Sequence, residues 1–416
     1  MREIIRPLGL AWTAGFAWAL LASPAPADDA RKVTIQGIGA ELGETPVIIA
    51  LTDDPPAPGP YVLLPATDSP TLTAGDPRAD VFEDAGKTYL GLVLKGLKAD
   101  EQVTYRLEPA PEAEAGVRLE ATGDDVQVSI GGEPFTVYRT REGTKPYLYP
   151  VIGPTGKPMT RAFPMEEVEG EERDHPHQRS FWFTHGDVNG YDFWASDPLN
   201  RPSPRHGRIV ETEKRTVSSG SAVGVLRTCN DWLTGEGEKL CEDERTIRFY
   251  DTEEGRIVDF DITIKATNGP VTFGDTKEGT FGIRIASSMD VKRKQGGRIT
   301  NAEGITDGDA WGKASPWVDY TGPIDGQTVG VAILNHPESF RHPTTWHVRD
   351  YGLFAANPFG YKDFGQDERG DHELAEGESI TFRYRVIFHK GDTEEASIPN
   401  AYKAYAEPPK VEIQSN

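Results

Sequence analysis

Residues 258–264 have the sequence Val258-Asp259-Phe260-Asp261-Ile262-Thr263-Ile264, in which apolar and polar residues alternate at every position. A period of two is typical of a β-strand that turns one face towards a protein core. This run predicts a strand at residues 257–266, and similar short segments on both sides of it predict strands at residues 221–228, 245–250, 279–287, 328–334 and 379–388. Strands of this number and length predict a large antiparallel β-sandwich.

The composition agrees with an all-β architecture. The chain of 416 residues contains 44 Gly and 32 Pro, and long helical patterns are almost absent from it. One short helix is predicted, at residues 398–406. Short apolar runs predict a small β-sandwich module at residues 31–109, a Pro/Ala/Glu linker follows, and the large domain is predicted at 117–406.

The first 27 residues have the features of an export signal. Arg2 and Arg6 precede an apolar segment from Leu8 to Ala22, and Ala25-Pro26-Ala27 offers a cleavage site. The apolar segment is short for a membrane span, and a retained membrane anchor is the alternative. The sequence therefore predicts an exported protein, periplasmic or extracellular, with no membrane span after removal of the signal peptide at residues 1–27.

The formal net charge of −22 bears on the partners of the protein. A strongly acidic chain repels phosphate backbones and anionic membrane surfaces, which argues against nucleic acid as a partner. It fits a protein that acts on neutral or cationic ligands. The sequence predicts no oligomeric state.

Two cysteines, Cys229 and Cys241, flank a Gly-containing turn between two strand-like runs. In an oxidising compartment this pair could form a disulfide that closes a hairpin. Free thiols are the equal alternative, because cross-strand geometry cannot be read from sequence.

The densest cluster of titratable side chains lies in residues 174–187, where three of the nine histidines fall within eleven residues. Imidazole titrates near neutral pH and can serve as acid, base or metal ligand. If the stretch continues as a strand, one face carries His175, His177, Arg179, Phe183 and His185. Trp182 then faces the other way and is expected in the core.

Two later stretches have the same character. Residues 274–284 place Lys277 and Glu278 beside glycines at the start of a strand, with Arg284 further along, although a surface ion pair is the plainer interpretation of Lys277 and Glu278. Residues 335–352 contain three more histidines, and His347, Arg349 and Tyr351 share strand parity beside Trp346. We predict that the three stretches form the walls of one cleft.

Aromatic rings stack on sugars, Arg and Lys bind hydroxyls or a carboxylate, and His with Glu transfer protons. We therefore predict an exported carbohydrate-active enzyme that cleaves or epimerises a sugar, with His177, Glu278 and His347 as catalytic candidates. The residues predicted to bind the substrate are His175, Arg179, His185, Lys277, Arg284, Trp346, Arg349 and Tyr351. No cofactor is expected.

Two alternatives stay open at this point. The first is a non-catalytic glycan-binding or scaffold protein of the cell envelope, and the second is an enzyme whose histidines hold a divalent metal. A metal is the minority interpretation because the chain has no H-E-x-x-H motif. A G-x-S-x-G elbow, a phosphate-binding loop and a dinucleotide fingerprint are also absent from the sequence.

At these residues the sequence resembles a bacterial family known as "methane oxygenase PmoA-like", over about residues 120–406. The resemblance is carried by Asp174-His175-Pro176-His177-Gln178-Arg179, Phe181-Trp182-Phe183, Gly186 to Gly190, Gly274 to Gly279, Trp311-Gly312-Lys313 and the run from His336 to Phe359. The sequence departs from the family at Gln178-Arg179-Ser180, where members often show a further histidine and glycine.

The resemblance implies a large β-sandwich similar to galactose-mutarotase-like and sugar-lyase domains, with the small N-terminal β module seen in such proteins. It raises the expectation of carbohydrate chemistry without fixing the reaction. Methane monooxygenase activity is not expected despite the family name. A membrane monooxygenase subunit needs several transmembrane helices, and this sequence has no long apolar segment after the signal.

Overall fold

The structure is a computed structural model that describes residues 31–52, 54–66, 76–111 and 113–414. The predicted signal peptide at residues 1–27 lies outside these ranges. The described residues form 25 strands, one α-helix and three short 3₁₀ helices (Ser287–Met289, Val291–Arg293 and Asp307–Ala310).

In chain order the strands and the helix are β1 (Arg31–Gln36), β2 (Thr45–Leu51), β3 (Gly59–Pro65), β4 (Arg78–Asp84), β5 (Lys87–Leu94), β6 (Gln102–Pro109), β7 (Val117–Thr122), β8 (Asp125–Ile130), β9 (Glu133–Arg139), β10 (Tyr147–Val151), β11 (Phe181–His185), β12 (Arg208–Ser218), β13 (Val223–Leu233), β14 (Lys239–Tyr250), β15 (Arg256–Lys265), β16 (Val271–Phe273), β17 (Gly279–Arg284), β18 (Arg298–Asn301), β19 (Trp317–Ile324), β20 (Gln327–Asn335), β21 (Trp346–Val348), β22 (Leu353–Ala356), β23 (His372–Leu374), β24 (Ser379–Lys390), α1 (Ile398–Ala406) and β25 (Lys410–Gln414).

Two eight-stranded antiparallel sheets face each other. The front sheet has the order β21-β22-β17-β11-β10-β9-β8-β7, and the back sheet has the order β12-β13-β14-β15-β24-β20-β19-β18. Their inner faces share one apolar core, in which the ring of Phe181 lies 5.6 Å from that of Phe260. Each fully buried side chain of this size contributes about 1.5–3 kcal/mol. The predicted all-β fold and its large antiparallel sandwich are confirmed.

The alternation in β15 assigns its two faces correctly, but the polar face is not open to solvent. Val258 and Phe260 point into the core, whereas the Asp259 carboxylate pairs with Arg385, at 2.6 and 2.9 Å. The guanidinium of Arg385 lies 4.6 Å from the ring of Tyr405 in α1. The predicted helix at 398–406 is confirmed, and it covers the outer face of the back sheet.

The small module is one seven-stranded sheet with the order β2-β5-β4-β3-β6-β1-β25. Strand β25 pairs with β1 along its whole length, from Lys32 opposite Gln414 to Gln36 opposite Lys410. The sheet therefore draws on both ends of the described chain and extends beyond the predicted range of 31–109. Strand β7 begins at Val117, where the large domain was predicted to start.

A buried carboxylate of the small sheet binds the start of a back-sheet strand. Asp80 in β4 is buried and accepts hydrogen bonds from the backbone N–H groups of residues 221–223 and from the hydroxyl of Ser221, at 2.7–3.0 Å. These donors lie at the start of β13. The side chain thus satisfies three backbone groups that the turn leaves without strand partners.

Replacing Asp80 with alanine is expected to lower the free energy of unfolding by about 2–4 kcal/mol, because the buried N–H groups lose their acceptor. Urea unfolding measures the loss, and limited proteolysis tests whether the small sheet becomes accessible. Glu83→Ala, at an exposed position of the same strand, serves as the control. Equal stability of the two variants would contradict the assigned role of Asp80.

The two strand-like runs beside the cysteines form the hairpin of β13 and β14, and of the two alternatives left open for Cys229 and Cys241 the structure has the unpaired one. Both thiols are free. Cys229 pairs in register with Glu244, whereas Cys241 pairs with Trp232, so the cysteines are neither opposite nor adjacent. Cys241 points into the sandwich core and Cys229 lies on the other face of the sheet.

Candidate functional site

The candidate site is a cavity of about 280 Å³ on the outer face of the front sheet, away from the sandwich core. It contains residues from all three stretches that the sequence singled out. The lining residues are His175, His177, Gln178, Trp194, Ala195, Lys277, Glu278, His347, Arg349 and Tyr351. Seven of these ten are residues that the sequence named as catalytic or substrate-binding candidates.

A larger cavity, of about 800 Å³, lies between the small sheet, the back sheet and α1. Its one histidine, His389, has both ring nitrogens engaged, with the carboxylate of Asp319 at 3.0 Å and the carbonyl of Lys390 at 3.1 Å. A ring bound at both nitrogens cannot exchange a proton with a ligand. The smaller cavity is therefore the better candidate, since its polar groups converge on one space.

Strand alternation places the residues of β21. Trp346 and Val348 point into the sandwich core, and the indole N–H of Trp346 donates a hydrogen bond to the Ser315 carbonyl at 2.9 Å. His347 between them points to the outer face, where Arg349 and Tyr351 join it from the turn before β22. His347, Arg349 and Tyr351 therefore line the cavity, whereas Trp346 lies outside it.

Residues 175–185 do not form one continuous strand, so the prediction that His175, His177, Arg179, Phe183 and His185 share a face is wrong. Residues 174–180 form a loop with positive φ at His175 and Ser180, and strand β11 begins only at Phe181. His185 consequently points into the core, where its Nε2 lies 2.8 Å from the Gly274 carbonyl. Burial lowers its pKa to about 4. His185 lies outside the cavity.

Trp182, on the opposite face of β11, lies against Trp194, with the two rings 5.3 Å apart. Both indoles belong to a small apolar cluster on the outer face of the front sheet. Trp182 is buried as expected, but in this outer cluster rather than in the sandwich core. It supports Trp194, which forms part of the cavity wall.

Two buried arginines fix the loop that carries His175 and His177. The Asp174 carboxylate accepts a hydrogen bond from Arg161 at 2.5 Å and another from Arg284 at 2.9 Å. Arg284 also donates to the side-chain carbonyl of Gln178. Burial works to raise the pKa of Asp174, but the hydrogen bond from His175 and the two guanidiniums lower it well below its usual range. Arg284, predicted to bind substrate, positions this loop from beneath.

The side chain of Arg179 is also paired with a carboxylate. Its guanidinium is buried and forms two hydrogen bonds with the Asp197 carboxylate, at 2.6 and 3.2 Å. A paired and buried cation of this kind holds two loop segments together. Arg179 was predicted to bind substrate, but the structure places it outside the cavity.

His347 has a defined tautomer. Its Nδ1 lies 2.6 Å from the backbone carbonyl of Lys277, and a carbonyl oxygen can only accept a hydrogen bond. Nδ1 therefore carries the proton, and in the neutral ring Nε2 keeps its lone pair. Burial, together with the charges of Arg349 and Lys277, lowers the pKa of His347 to about 3, so the ring is neutral at pH 7.

His177 has the opposite tautomer. The amide nitrogen of Asn200 donates to the Ala195 carbonyl at 2.6 Å, which fixes its orientation, and it lies 3.0 Å from Nδ1 of His177. Nδ1 is therefore the acceptor and Nε2 carries the proton. Burial, followed by the charge of Lys145, lowers the pKa of His177 to about 3. Of these two imidazoles, His347 thus offers a lone pair and His177 an N–H.

Three further side chains complete the polar lining. The ring of His175 stacks on that of Tyr351 at 5.5 Å, and its Nδ1 lies 2.9 Å from the Asp174 carboxylate. The ammonium of Lys277 lies 3.0 Å from the Glu278 carboxylate, and this hydrogen bond raises the pKa of Lys277. Lys277 and Glu278 form an ion pair, as the plainer interpretation expected, and this pair lies in the cavity wall.

Three lining residues were not predicted from the sequence: Gln178, Trp194 and Ala195. Gln178 follows His177 directly, and its proximity was the only available signal. Trp194 and Ala195 belong to the loop after β11, where the N–H of Phe193 donates to the His185 carbonyl at 3.1 Å. The indole of Trp194 reaches the front sheet through the conformation of this loop, which the sequence pattern does not indicate.

Across the described part of the chain, no three His, Cys, Asp or Glu side chains are grouped so that they could hold a metal ion. His175 and His177 do line one cavity, with ring centres 5.6 Å apart. The histidines at 336 and 342 instead contact α1, through Tyr405 and Tyr402.

The chain was compared with curated proteins, with solved structures and with protein-family models. No curated protein matches the chain. Among solved structures, an α-mannosidase from Enterococcus faecalis V583 is similar with 11% identity and a TM-score of 0.39, over 94% of this chain and 46% of that one. The chain thus spans about half of the length of that structure. The described residues contain no helix long and apolar enough to cross a membrane. A model of a family of unknown function, DUF6807, matches residues 125–403, and the chain belongs to that family.

Proposed function

We propose that the protein is an exported carbohydrate-active enzyme that performs proton-transfer chemistry on a sugar bound in the cavity of the front sheet. The observation that carries this proposal is the pair of neutral imidazoles with opposite tautomers in one cavity. A lone pair and an N–H that face one bound molecule can remove a proton and stabilise the oxygen that gains charge. Trp194 and Tyr351 are the aromatic residues of the cavity wall.

The tautomers divide the roles of the two histidines. His347 presents the lone pair of Nε2 and is the general base. His177 presents the N–H of a neutral ring, so it acts as a hydrogen-bond donor to a developing oxyanion rather than as a source of a proton. Glu278 is the partner that holds the Lys277 ammonium at the cavity wall.

The carboxylates favour epimerisation or elimination over hydrolysis. Glycoside hydrolysis in most families uses two carboxyl groups on either side of the scissile bond. Glu278 is the only carboxylate among the ten lining residues, and Asp174 beside the cavity is held by two buried arginines. A single histidine base suits removal of a proton from carbon, which both epimerisation and elimination require.

The wider setting is part of the same proposal. An export signal at residues 1–27 would deliver the protein to the periplasm or the cell exterior, where glycans are accessible. The resemblance of the sequence to PmoA-like proteins, which implies a galactose-mutarotase-like sandwich, supports the carbohydrate part of the proposal. The lining residues are mostly polar or charged, as expected for a site that binds a polar ligand rather than methane.

A product-detecting screen against a panel of polysaccharides and oligosaccharides tests the proposal, with mass spectrometry to detect elimination or hydrolysis and NMR to detect epimers. On the substrate found, His347→Ala and His177→Ala are each expected to lower kcat by about 10²-fold or more. His206→Ala is the control, because His206 lies outside the lining. Unchanged turnover in both cavity variants would refute the roles assigned here.

The same screen separates an enzyme from a glycan-binding protein. Saturable binding of a glycan, with no product at any enzyme concentration, would favour the non-catalytic alternative. In that case His177→Ala and His347→Ala would change affinity alone. A reaction run in D₂O gives a further test. If the wild type incorporates deuterium at a ring carbon of the recovered substrate and His347→Ala does not, the non-catalytic alternative is excluded.

A further inference from the structure

Arg349 differs from the buried arginines of the protein. Every arginine with a buried side chain is within ion-pair distance of a carboxylate; these residues are Arg31, Arg161, Arg179, Arg245, Arg284 and Arg385. Within the described ranges the half-buried guanidinium of Arg349 has no hydrogen-bond or ion-pair partner. It lies between two aromatic rings, 5.5 Å from that of Trp311 and 5.8 Å from that of Tyr351.

The charges of the lining residues leave this cation uncompensated. Lys277 and Glu278 neutralise each other at 3.0 Å, and His177 and His347 are neutral at pH 7. Arg349 therefore gives the cavity wall a net positive charge in a chain whose net charge is −22. A partly desolvated guanidinium that is held by aromatic rings and lacks a counter-ion is prepared to bind an anion.

We propose that the substrate is an acidic sugar, a uronic acid residue whose ring carboxylate binds Arg349. This inference rests on the proposed function and names the substrate class for the same site. It differs from the expectation from net charge that the ligand is neutral or cationic, because the local charge of the cavity is opposite to that of the whole chain. A planar carboxylate matches the two parallel N–H groups of a guanidinium.

A carboxylate at Arg349 also suits a base at His347. Nε2 of His347 takes the proton from the carbon next to the carboxylate, and the electron pair of that C–H bond moves into the carboxylate to form an enolate. For elimination, the enolate pair forms a double bond and expels the oxygen substituent of the next carbon, which takes the proton from His347. For epimerisation, water protonates the other face, and His347 gives its proton to the resulting hydroxide.

The same carboxylate makes His347 a better base. The charge of Arg349 is one of the causes that lower the pKa of this imidazole. A bound anion offsets that charge, so the affinity of Nε2 for a proton rises when the substrate is in place. An uncharged sugar would leave the imidazole as weakly basic as it is in the empty cavity.

Calorimetry at pH 7 and low salt tests the inference with matched ligands: glucuronate and galacturonate disaccharides, and the methyl ester of each, which keeps the shape and removes the charge. The wild type is expected to bind at least one acid about 10- to 100-fold more tightly than its ester. Arg349→Gln is expected to abolish this preference while the affinity for the ester stays the same, and Arg349→Lys to retain part of it. Arg298→Gln, at an exposed position of β18, is the control.

Equal affinities of the wild type for acids and esters would overturn the inference, as would a stronger preference for sulfated neutral disaccharides. Turnover of a neutral sugar that Arg349→Gln leaves unchanged would overturn it while the proposed function stands. A charge preference that depends on Arg349 without turnover of any acidic sugar would instead refute the enzymatic role and leave the ligand class intact.

Discussion

Replacing Asp174 with alanine is expected to lower the free energy of unfolding by about 2–4 kcal/mol and to remove ligand binding at the cavity. The carboxylate lies against Arg161 and Arg284, whose side chains are 0% and 1% exposed. Without Asp174 the two guanidiniums stay buried next to each other with no shared counter-ion, which is costly. The figure is lower than that for a fully buried pair because the Asp174 side chain is 38% exposed.

Urea unfolding at pH 7 measures this loss, and ligand titration measures the binding. Asp124→Ala is the matched control, because it removes a carboxylate paired with one arginine at the surface. We expect that control to unfold at the same urea concentration as the wild type. If Asp174→Ala behaved like the control, the arginines would not depend on Asp174.

Acidification from pH 7 to pH 5 is expected to lower the free energy of unfolding by about 4 kcal/mol through His177 and His347 together. The pKa of each is about 3 in the folded protein, below the usual value of 6.5. Between these values the unfolded chain binds more protons, so stability is full above pH 6.5 and falls as the pH decreases. At pH 5 the difference is about 2 kcal/mol for each imidazole.

Urea unfolding at several pH values tests this, with His177→Gln and His347→Gln expected to flatten the slope between pH 7 and pH 5. His389→Gln is an informative comparison. Although burial lowers the pKa of His389, the charge of Asp319 and its hydrogen bond raise it overall. His389 therefore supports the fold at acidic pH, and its loss should steepen the slope. A slope that none of the three changes would contradict the assignment.

The fold was predictable because its signals are local. The alternation in residues 258–264 placed Val258 and Phe260 in the core, and the helix at 398–406 has the predicted bounds. Parity also separated His347 from Trp346 correctly, since β21 is a regular strand. Strand parity does not place His185 correctly, because the count from His175 runs through a loop that is not extended.

The composition of the site was only partly predictable, since pairing depends on residues that are distant in sequence. Arg179, Arg284 and Arg349 look equivalent in the sequence, yet among the residues that the structure describes two have carboxylate partners and one has none. The tautomers of His177 and His347 depend on Asn200 and on the carbonyl of Lys277. Such contacts are fixed by tertiary structure, and no spacing in the sequence encodes them.

The pairing of β1 with β25 constrains the order in which the protein can be assembled during synthesis. Strand β1 is among the first described segments to leave the ribosome, and its partner β25 is the last. One side of β1 can pair with β6 early, but the other side must wait for the entire sandwich to be translated. Until then its N–H and C=O groups form an open sheet edge, so the nascent chain is exposed to pairing with other chains until β25 has been translated.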